Sequence, residues 1–421
     1  MKEQKTIGIL TTFYNLDFGY SLCAVVRDQL TSLVKNNYKT VLFVLPTFKD
    51  DDKVPKGVEI RKTVPQLILE PYKGLEFPQH WKEDVKKAQG MFERNMQDID
   101  ILICHDIFFI DCFLPYNIAL RDALPQLKCK VLAWVHSAPS KREDLRDNPH
   151  ASRFSLNDPS GRIKLVYLNH DKVHELAEMY GAWMKDIRVV HNARDIRTFW
   201  NLDPLVVSLI DKYDILNADI ISVYPLSTPR MISGKGLDKV IKIHSKLKEL
   251  GYRTCLIVPN AHANAEKDKR MIAETLIWAA DRNINHQELI FTSLEEVPKH
   301  ELGVSPNIVS DLFRISNVFV FPTISENSSL VLLEAMLSGN LLVLNKKVGT
   351  LLEHAGENAI YIDFEYREPQ EENEIYYLDL AKIIASQFEI NKSLQVKRRA
   401  LKKFNYDSVF KKEIERLFYE E

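Results

Sequence analysis

FVFPTISENSSLVLLEAMLSG, residues 319–339, is the stretch on which the reading of this chain turns. A run of aromatic and β-branched residues stops at Pro322, and a helical pattern carrying Leu330, Val331, Leu332, Leu333, Met336 and Leu337 then runs to Gly339. A buried strand that turns directly into a short helix is the unit from which parallel, doubly wound sheets are built. Ser328 is the expected N-cap, its hydroxyl accepting an otherwise unpaired backbone N–H, and Gly339 suits the left-handed residue that ends a helix. The helix start exposes N–H groups and partial positive charge, so Asn327, Ser328, Ser329 and Leu330 form a cradle for a diphosphate. The helix is apolar almost all round and is expected to be largely buried.

Two carboxylates, Glu326 and Glu334, bracket that helix start. An ionised carboxylate buried without hydrogen bonds costs several kcal/mol, so Glu334 either meets ligand donors such as ribose hydroxyls or caps a backbone group. Glu326, in the turn, either touches a ligand or is an ordinary loop carboxylate.

The same alternation extends in both directions. Strands are expected near 6–11, 40–45, 100–104, 130–135, 165–168 and 188–190, with a helix over 21–36 completing a βαβ unit. After an irregular link at 192–202 the series restarts, with strands near 220–224, 254–258, 289–292, 318–321, 341–344 and 360–362. The expected fold class is therefore α/β, two Rossmann-like doubly wound domains. The expected boundaries are 1–198 and 199–399, with a C-terminal helix over about 400–421. Such sheets bind ligands outside the carboxyl ends of their strands, and two of them imply a cleft between domains.

A chain of 421 residues suits two such domains. Lys and Arg number 56 against 58 Asp and Glu, a net charge of −2, which removes the global basic excess of a nucleic-acid binder and leaves only a local groove open. The five cysteines are scattered through apolar runs, which argues against a disulfide framework or a zinc site and for a reducing, cytoplasmic compartment. No segment is long and apolar enough to be an integral membrane span, and peripheral contact stays open. In the tail, Lys397, Arg398, Arg399, Lys402 and Lys403 read either as a solvated helix face or as a phosphate or membrane contact.

A second element, YPLSTPRMISGKG over 224–236, is a strand end followed by a glycine-bracketed loop with Arg230 and Lys235. Arg binds phosphate bidentately and Lys acts as a point charge, so the two together neutralise a diphosphate leaving group. Taken singly, each reads as a surface cation.

With these elements in place, most of the chain resembles the GT-B retaining glycosyltransferases of family 4. Glu326 through Glu334 matches their E-x7-E motif, and Arg230, Lys235 and Gly236 look like their Arg and Lys pair before a glycine. Residues 190–199, VHNARDIRTF, are similar to the family's linker, and FNYDSV from Phe404 to its closing helix, which in that family returns to the N-terminal domain. The resemblance implies that Arg230 and Lys235 hold the diphosphate of a nucleotide sugar, Glu334 the ribose and Glu326 the transferred sugar. It further implies that Gly19 lies in the loop facing the phosphates and that His136, at a strand end, bonds the transferred sugar or the acceptor. His136 also has a purely structural reading.

The activity so implied is metal-independent transfer of a hexosyl or pentosyl group with retention, needing no cofactor beyond the nucleotide-diphosphate sugar. Three positions depart from the pattern: the first loop has one glycine instead of two, Asn327 replaces a glycine, and Val258-Pro-Asn260 replaces a glycine-rich turn. These departures motivate a competing reading as a catalytically inactive nucleotide-sugar or carbohydrate binding module; a sugar epimerase or phosphorylase fits the glutamate pattern less well. Gly349, Thr350 and Glu353 match a later family motif in part. The metal-ligand pattern is absent, since His105-Asp106 and Asp111 have nonspecific spacing and suit a loop or acceptor site better. Acceptors of this architecture include glycans, lipid-linked saccharides, small molecules, proteins and modified nucleic-acid bases. The loops over 13–20, 71–81, 105–116 and 137–160 carry the aromatic and charged residues expected to choose among them.

Overall fold

The computed structural model describes residues 4–17, 19–68, 78–108, 110–136, 160–295, 302–364 and 370–420. It divides into two compact units, Met1–Asp195 with Phe404–Glu421, and Ile196–Lys403. Each contains one open parallel sheet with helices on its faces, so the fold is α/β and doubly wound.

In the first unit the strands are β1 (Thr6–Leu10), β2 (Lys39–Phe43), β3 (Val58–Arg61), β4 (Ile101–His105), β5 (Lys130–Trp134), β6 (Ile163–Tyr167) and β7 (Ile187–Val189), in the spatial order β3-β2-β1-β4-β5-β6-β7. Successive side chains of a strand point to opposite faces. Accordingly Ile7 and Ile9 pack with Leu22, Val26 and Leu30 of the helix Ser21–Lys35, whereas Leu10 packs with Met91 and Phe92 of the helix Gln79–Asn95. Gly8 lies where a Cβ would approach Phe43 and Leu102 to 3.0 and 3.1 Å, so the sheet face is too close to the next strands for any side chain. β3 goes unrecognised in the sequence because it is a half-exposed edge strand reading Val-Glu-Ile-Arg, without an apolar run, and only pairing with β2 defines it.

In the second unit the strands are β8 (Ile220–Val223), β9 (Leu226–Ser227), β10 (Thr254–Val258), β11 (Asn260–Ala261), β12 (Leu289–Phe291), β13 (Val318–Phe321), β14 (Leu341–Asn345) and β15 (Ile360–Ile362). Six of them form the sheet β12-β10-β8-β13-β14-β15, every neighbouring pair parallel, while β9 and β11 make a two-residue ladder of their own.

The C-terminal stretch is two pieces where one amphipathic helix is expected. The helix Lys392–Lys403 closes the second unit. The chain then breaks at Phe404 and Asn405, the Asn405 side chain capping Ser408 N at 2.9 Å, and a helical segment from Tyr406 buries Val409, Phe410, Ile414 and Phe418 against the first unit's sheet. His191 ties that segment down, its backbone N–H donating to Glu413 Oε2 at 2.8 Å.

The basic cluster of the tail is neither a solvated face nor a phosphate site at three of its positions. Arg398 Nη2 donates to Asp219 Oδ1 at 2.6 Å, Lys402 binds the same oxygen, and Arg253 N–H occupies Oδ2 at 2.9 Å. Lys397 donates to Ser316 O at 2.6 Å, and burial lowers its ammonium to about 8. Asp219 immediately precedes β8, so the cluster latches the last helix onto the amino edge of the sheet. No described helix is long and apolar enough to cross a membrane.

Candidate functional site

The order β12-β10-β8-β13-β14-β15 reverses direction between β8 and β13. At such a reversal the connections leaving neighbouring strands run to opposite faces, and the crevice they leave at the carboxyl edge receives ligands. The loops leaving β8 and β13 are those that carry Arg230, Lys235 and Glu326.

Each loop is held by its own chemistry. Tyr224, at the end of β8, is buried edge-on to Phe319 and Phe321 of β13, and its hydroxyl donates to Lys235 O at 2.5 Å. The N–H groups of Gly234 and Lys235 both donate to Arg230 O, at 3.2 and 3.0 Å, folding the segment into a compact turn. Gly236 is required twice over: its φ is 65°, and a Cβ would meet Pro322 Cγ at 3.2 Å. The close approach of Gly236 to Pro322 brings the two loops together.

Lys235 Nζ donates to Glu326 Oε1, with the side chains 17% and 15% exposed. The ammonium also lies 5.5 Å from the centre of the Phe321 ring. Thr323 Oγ1 donates to the same Glu326 oxygen at 3.3 Å, and Thr350 Oγ1 donates to the Glu326 carbonyl at 2.8 Å. Thr350 therefore positions Glu326, while Gly349, the first residue of the helix Gly349–Ala355, and the exposed Glu353 on that helix make no such bond. Arg230 is exposed, and its guanidinium hydrogen-bonds no described residue. It lies over Gly234, where a Cβ would come within 3.4 Å of Nε.

Two expectations for the following helix are corrected. It spans Leu330–Leu337, and its N-cap is Ser329, whose Oγ accepts Leu332 N–H at 3.3 Å; Asn327 and Ser328 stand exposed in the turn before it. The helix is also far from buried: Leu332 and Ala335 are in the core, but Leu330 and Leu337 are 72% and 90% exposed. A two-turn helix connecting the interior strands β13 and β14 buries only one of its faces, whatever its composition. Glu334 is half-buried, its side chain bonds no described residue, and desolvation raises its carboxyl above the usual range.

The remaining candidates lie in the first unit. Gly19 is exposed and outside the left-handed region; its N–H donates to Asp17 Oδ1 at 2.8 Å. His136 follows β5, and its backbone N–H donates to Asp106 Oδ1 at 3.0 Å. Its Nε2 is 2.9 Å from His105 Nδ1, and His105 Nε2 is 2.9 Å from Gln29 Oε1. Gln29 Oε1 can only accept, so His105 carries its proton on Nε2, its Nδ1 accepts, and His136 is protonated at Nε2. Burial lowers both imidazoles, His136 to about 4, so the pair is neutral and His136 Nδ1 keeps a free lone pair.

No protein-family model matches this chain, and no curated protein matches it. Among solved structures it is similar to a glycosyltransferase from Rickettsia africae, at 13% identity and a TM-score of 0.38 over 99% of this chain and 98% of that one. It is also similar to Anabaena HepE in complex with UDP, at 15% identity and a TM-score of 0.32 over 98% and 99%. A UDP-forming α,α-trehalose-phosphate synthase from Burkholderia xenovorans, in complex with glucose-6-phosphate, is similar at 12% identity and a TM-score of 0.36 over 99% and 100%.

Several determinants are not legible in the sequence. Gln29 reads as one position on a helix face, yet it is 2% exposed and sets the tautomers of two histidines. Asp106 is 5% exposed at φ 60°, a conformation that only its place after β4 explains. Asn260 is engaged by Thr228, Thr292 and Ser293, and so staples three loop ends together at the point where the sequence departs from a glycine-rich turn. Of the expected acceptor loops, 71–77 and 137–159 lie outside the described residues. Trp81 is core, and Leu114–Ala123 is helix rather than loop.

Proposed function

We propose that the chain is a retaining, metal-independent glycosyltransferase of the GT-B class, cytoplasmic, whose Ile196–Lys403 unit holds a nucleotide-diphosphate sugar. The observation that carries this reading is the Lys235–Glu326 pair at the reversal of the second sheet, with the guanidinium of Arg230, which bonds no described residue, on the same loop. The resemblance of the Arg230–Lys235–Gly236 and Glu326–x7–Glu334 spacings to family 4 supports it.

In this reading the diphosphate draws Lys235 from Glu326 and engages Arg230, and Glu326, released, accepts hydroxyls of the transferred sugar. Charge then develops on the departing phosphate oxygen, where a guanidinium, an ammonium and the first N–H groups of the helix Leu330–Leu337 stabilise it. Glu334 accepts ribose hydroxyls, which supply the donors its carboxylate lacks. His136 offers its Nδ1 lone pair to the sugar or the acceptor. The protein's remaining contribution is to place an acceptor hydroxyl beside an oxocarbenium-like anomeric carbon.

The test is a thermal-shift series with UDP-, GDP- and ADP-sugars, with a CMP-sugar, which carries one phosphate, as the control, followed by prolonged incubation with whichever diphosphate donor stabilises the chain. Slow release of nucleoside diphosphate, insensitive to EDTA, is expected. Stabilisation with no turnover assigns a binding module, and no stabilisation by any donor removes the reading.

A further inference from the structure

The first unit's sheet reverses between β1 and β4, and at its carboxyl edge a cavity of about 490 Å³ is lined by the loop after β1, by His105 and Asp106 after β4, and by Gln66 and Tyr116. We infer that this cavity binds a hydroxyl-rich ring, a sugar moiety free of phosphate and carboxylate, with Asp106 accepting its hydroxyls and Tyr14 and Tyr20 packing on its C–H faces. This rests on the glycosyltransferase reading, in which the ring belongs to the acceptor.

The cavity is a built one. The loop after β1 is fixed to the segment after β2 by Leu45 N to Phe13 O and Lys49 N to Tyr14 O, both 3.1 Å, and by Leu16 N to Asp50 Oδ2 at 2.6 Å. Its volume is that of a small-molecule site. Tyr14 and Tyr20 are 60% and 49% exposed, so two phenol rings are available to a ligand, and Phe13 packs edge-on to Tyr20 at 6.2 Å.

Charge selects the ligand. Among the described lining residues there is no lysine or arginine, while Asp17 and Asp106 are both present. A phosphate or carboxylate entering here meets like charge from these two residues, which disfavours it. Asp17 is partly satisfied by Gly19 N–H. Asp106 accepts His136 N–H on Oδ1, and its Oδ2 has no described partner although the residue is 5% exposed. That oxygen is open to the cavity the residue lines, where a sugar hydroxyl is a suitable donor. Burial has pushed the Asp106 carboxyl up to about 6, as expected of an under-solvated group.

The experiment is saturation-transfer NMR on the full chain with the methyl glycosides of glucose, galactose, mannose and N-acetylglucosamine, alongside glucose 6-phosphate and glucuronate. At least one neutral glycoside is expected to bind, at least tenfold tighter than the anionic sugars, and to weaken at least tenfold in both Asp106→Asn and Tyr20→Ala. Asparagine tolerates the left-handed conformation, so the first variant keeps the backbone, and the second changes an exposed ring. The inference is overturned if no neutral glycoside binds, if binding is unaffected by both variants, or if glucose 6-phosphate or glucuronate binds as well as the neutral rings. Nucleoside diphosphates added to the same samples separate the two readings. A thermal shift by UDP, GDP or ADP without glycoside binding removes this inference alone, whereas the absence of both removes the donor reading with it.

Discussion

The ammonium of Lys235 and the carboxylate of Glu326 form an ion pair across the two loops that leave β8 and β13, both side chains mostly withdrawn from water. The pair holds the two loops in register, each charge satisfied by the other.

Removal of one partner leaves the other under-solvated, so Lys235→Ala and Glu326→Ala are each expected to lower stability by roughly 1–3 kcal/mol. The double variant is expected to recover part of that loss. Arg230→Ala, at an exposed position, is expected to leave the melting temperature unchanged. All three single variants are expected to lower turnover by about 10² or more. Thermal melts read beside donor turnover check both halves, and wild-type turnover in all three would refute the assigned roles.

Glu334 carries a raised carboxyl because desolvation is unopposed. A carboxyl raised in the folded state stabilises below its ordinary range, and that stability is lost as the pH rises through the raised value. Glu334→Gln is therefore expected to melt higher than wild type at neutral pH and to flatten the pH slope, while binding nucleotide sugars more weakly and free sugars unchanged. Melts from pH 4 to 8 with and without donor test it.

His105 and His136 behave in the opposite sense. Both are lowered by burial, His136 to about 4, so their contribution is full above the ordinary imidazole value and is lost as the pH falls towards that number. His136→Gln should reduce the loss of stability between pH 6.5 and 4. Gln29→Leu removes the acceptor that sets the tautomer chain, and is expected to lower kcat with little change in KM for the donor; an unchanged kcat shows that the chain does not act on His136.

Asp219 is held below the usual carboxylate range by Lys402, Arg253 N–H and Arg398, against the cost of burial. Its contribution is present above that range and is lost as the pH falls through the lowered value. Asp219→Ala is expected to cost about 2 kcal/mol in stability without altering the affinity for nucleotide sugars. Loss of donor binding in the folded variant would place the basic cluster in the site instead of in the latch.

The alternation of short apolar runs with helical patterns was enough to place most of the strands in both sheets, because burial on both faces of a parallel sheet forces a continuous apolar run whatever surrounds it. Val318–Phe321 and Thr254–Val258 fall where the residue pattern puts them. The spacing of Arg230, Lys235, Glu326 and Glu334 was likewise legible, since all four lie in the segments that follow β8 and β13. Tertiary structure alone decided the rest. Which strands are neighbours, and so that the Lys235 and Glu326 loops meet at a reversal, depends on pairing between segments some ninety positions apart, which no local pattern encodes. The cap at Ser329, the exposed leucines 330 and 337, the latch on Asp219 and the Gln29–His105–His136 chain have the same origin. Composition states what a side chain prefers, but the partner that satisfies or fails it is supplied by the packing of distant elements.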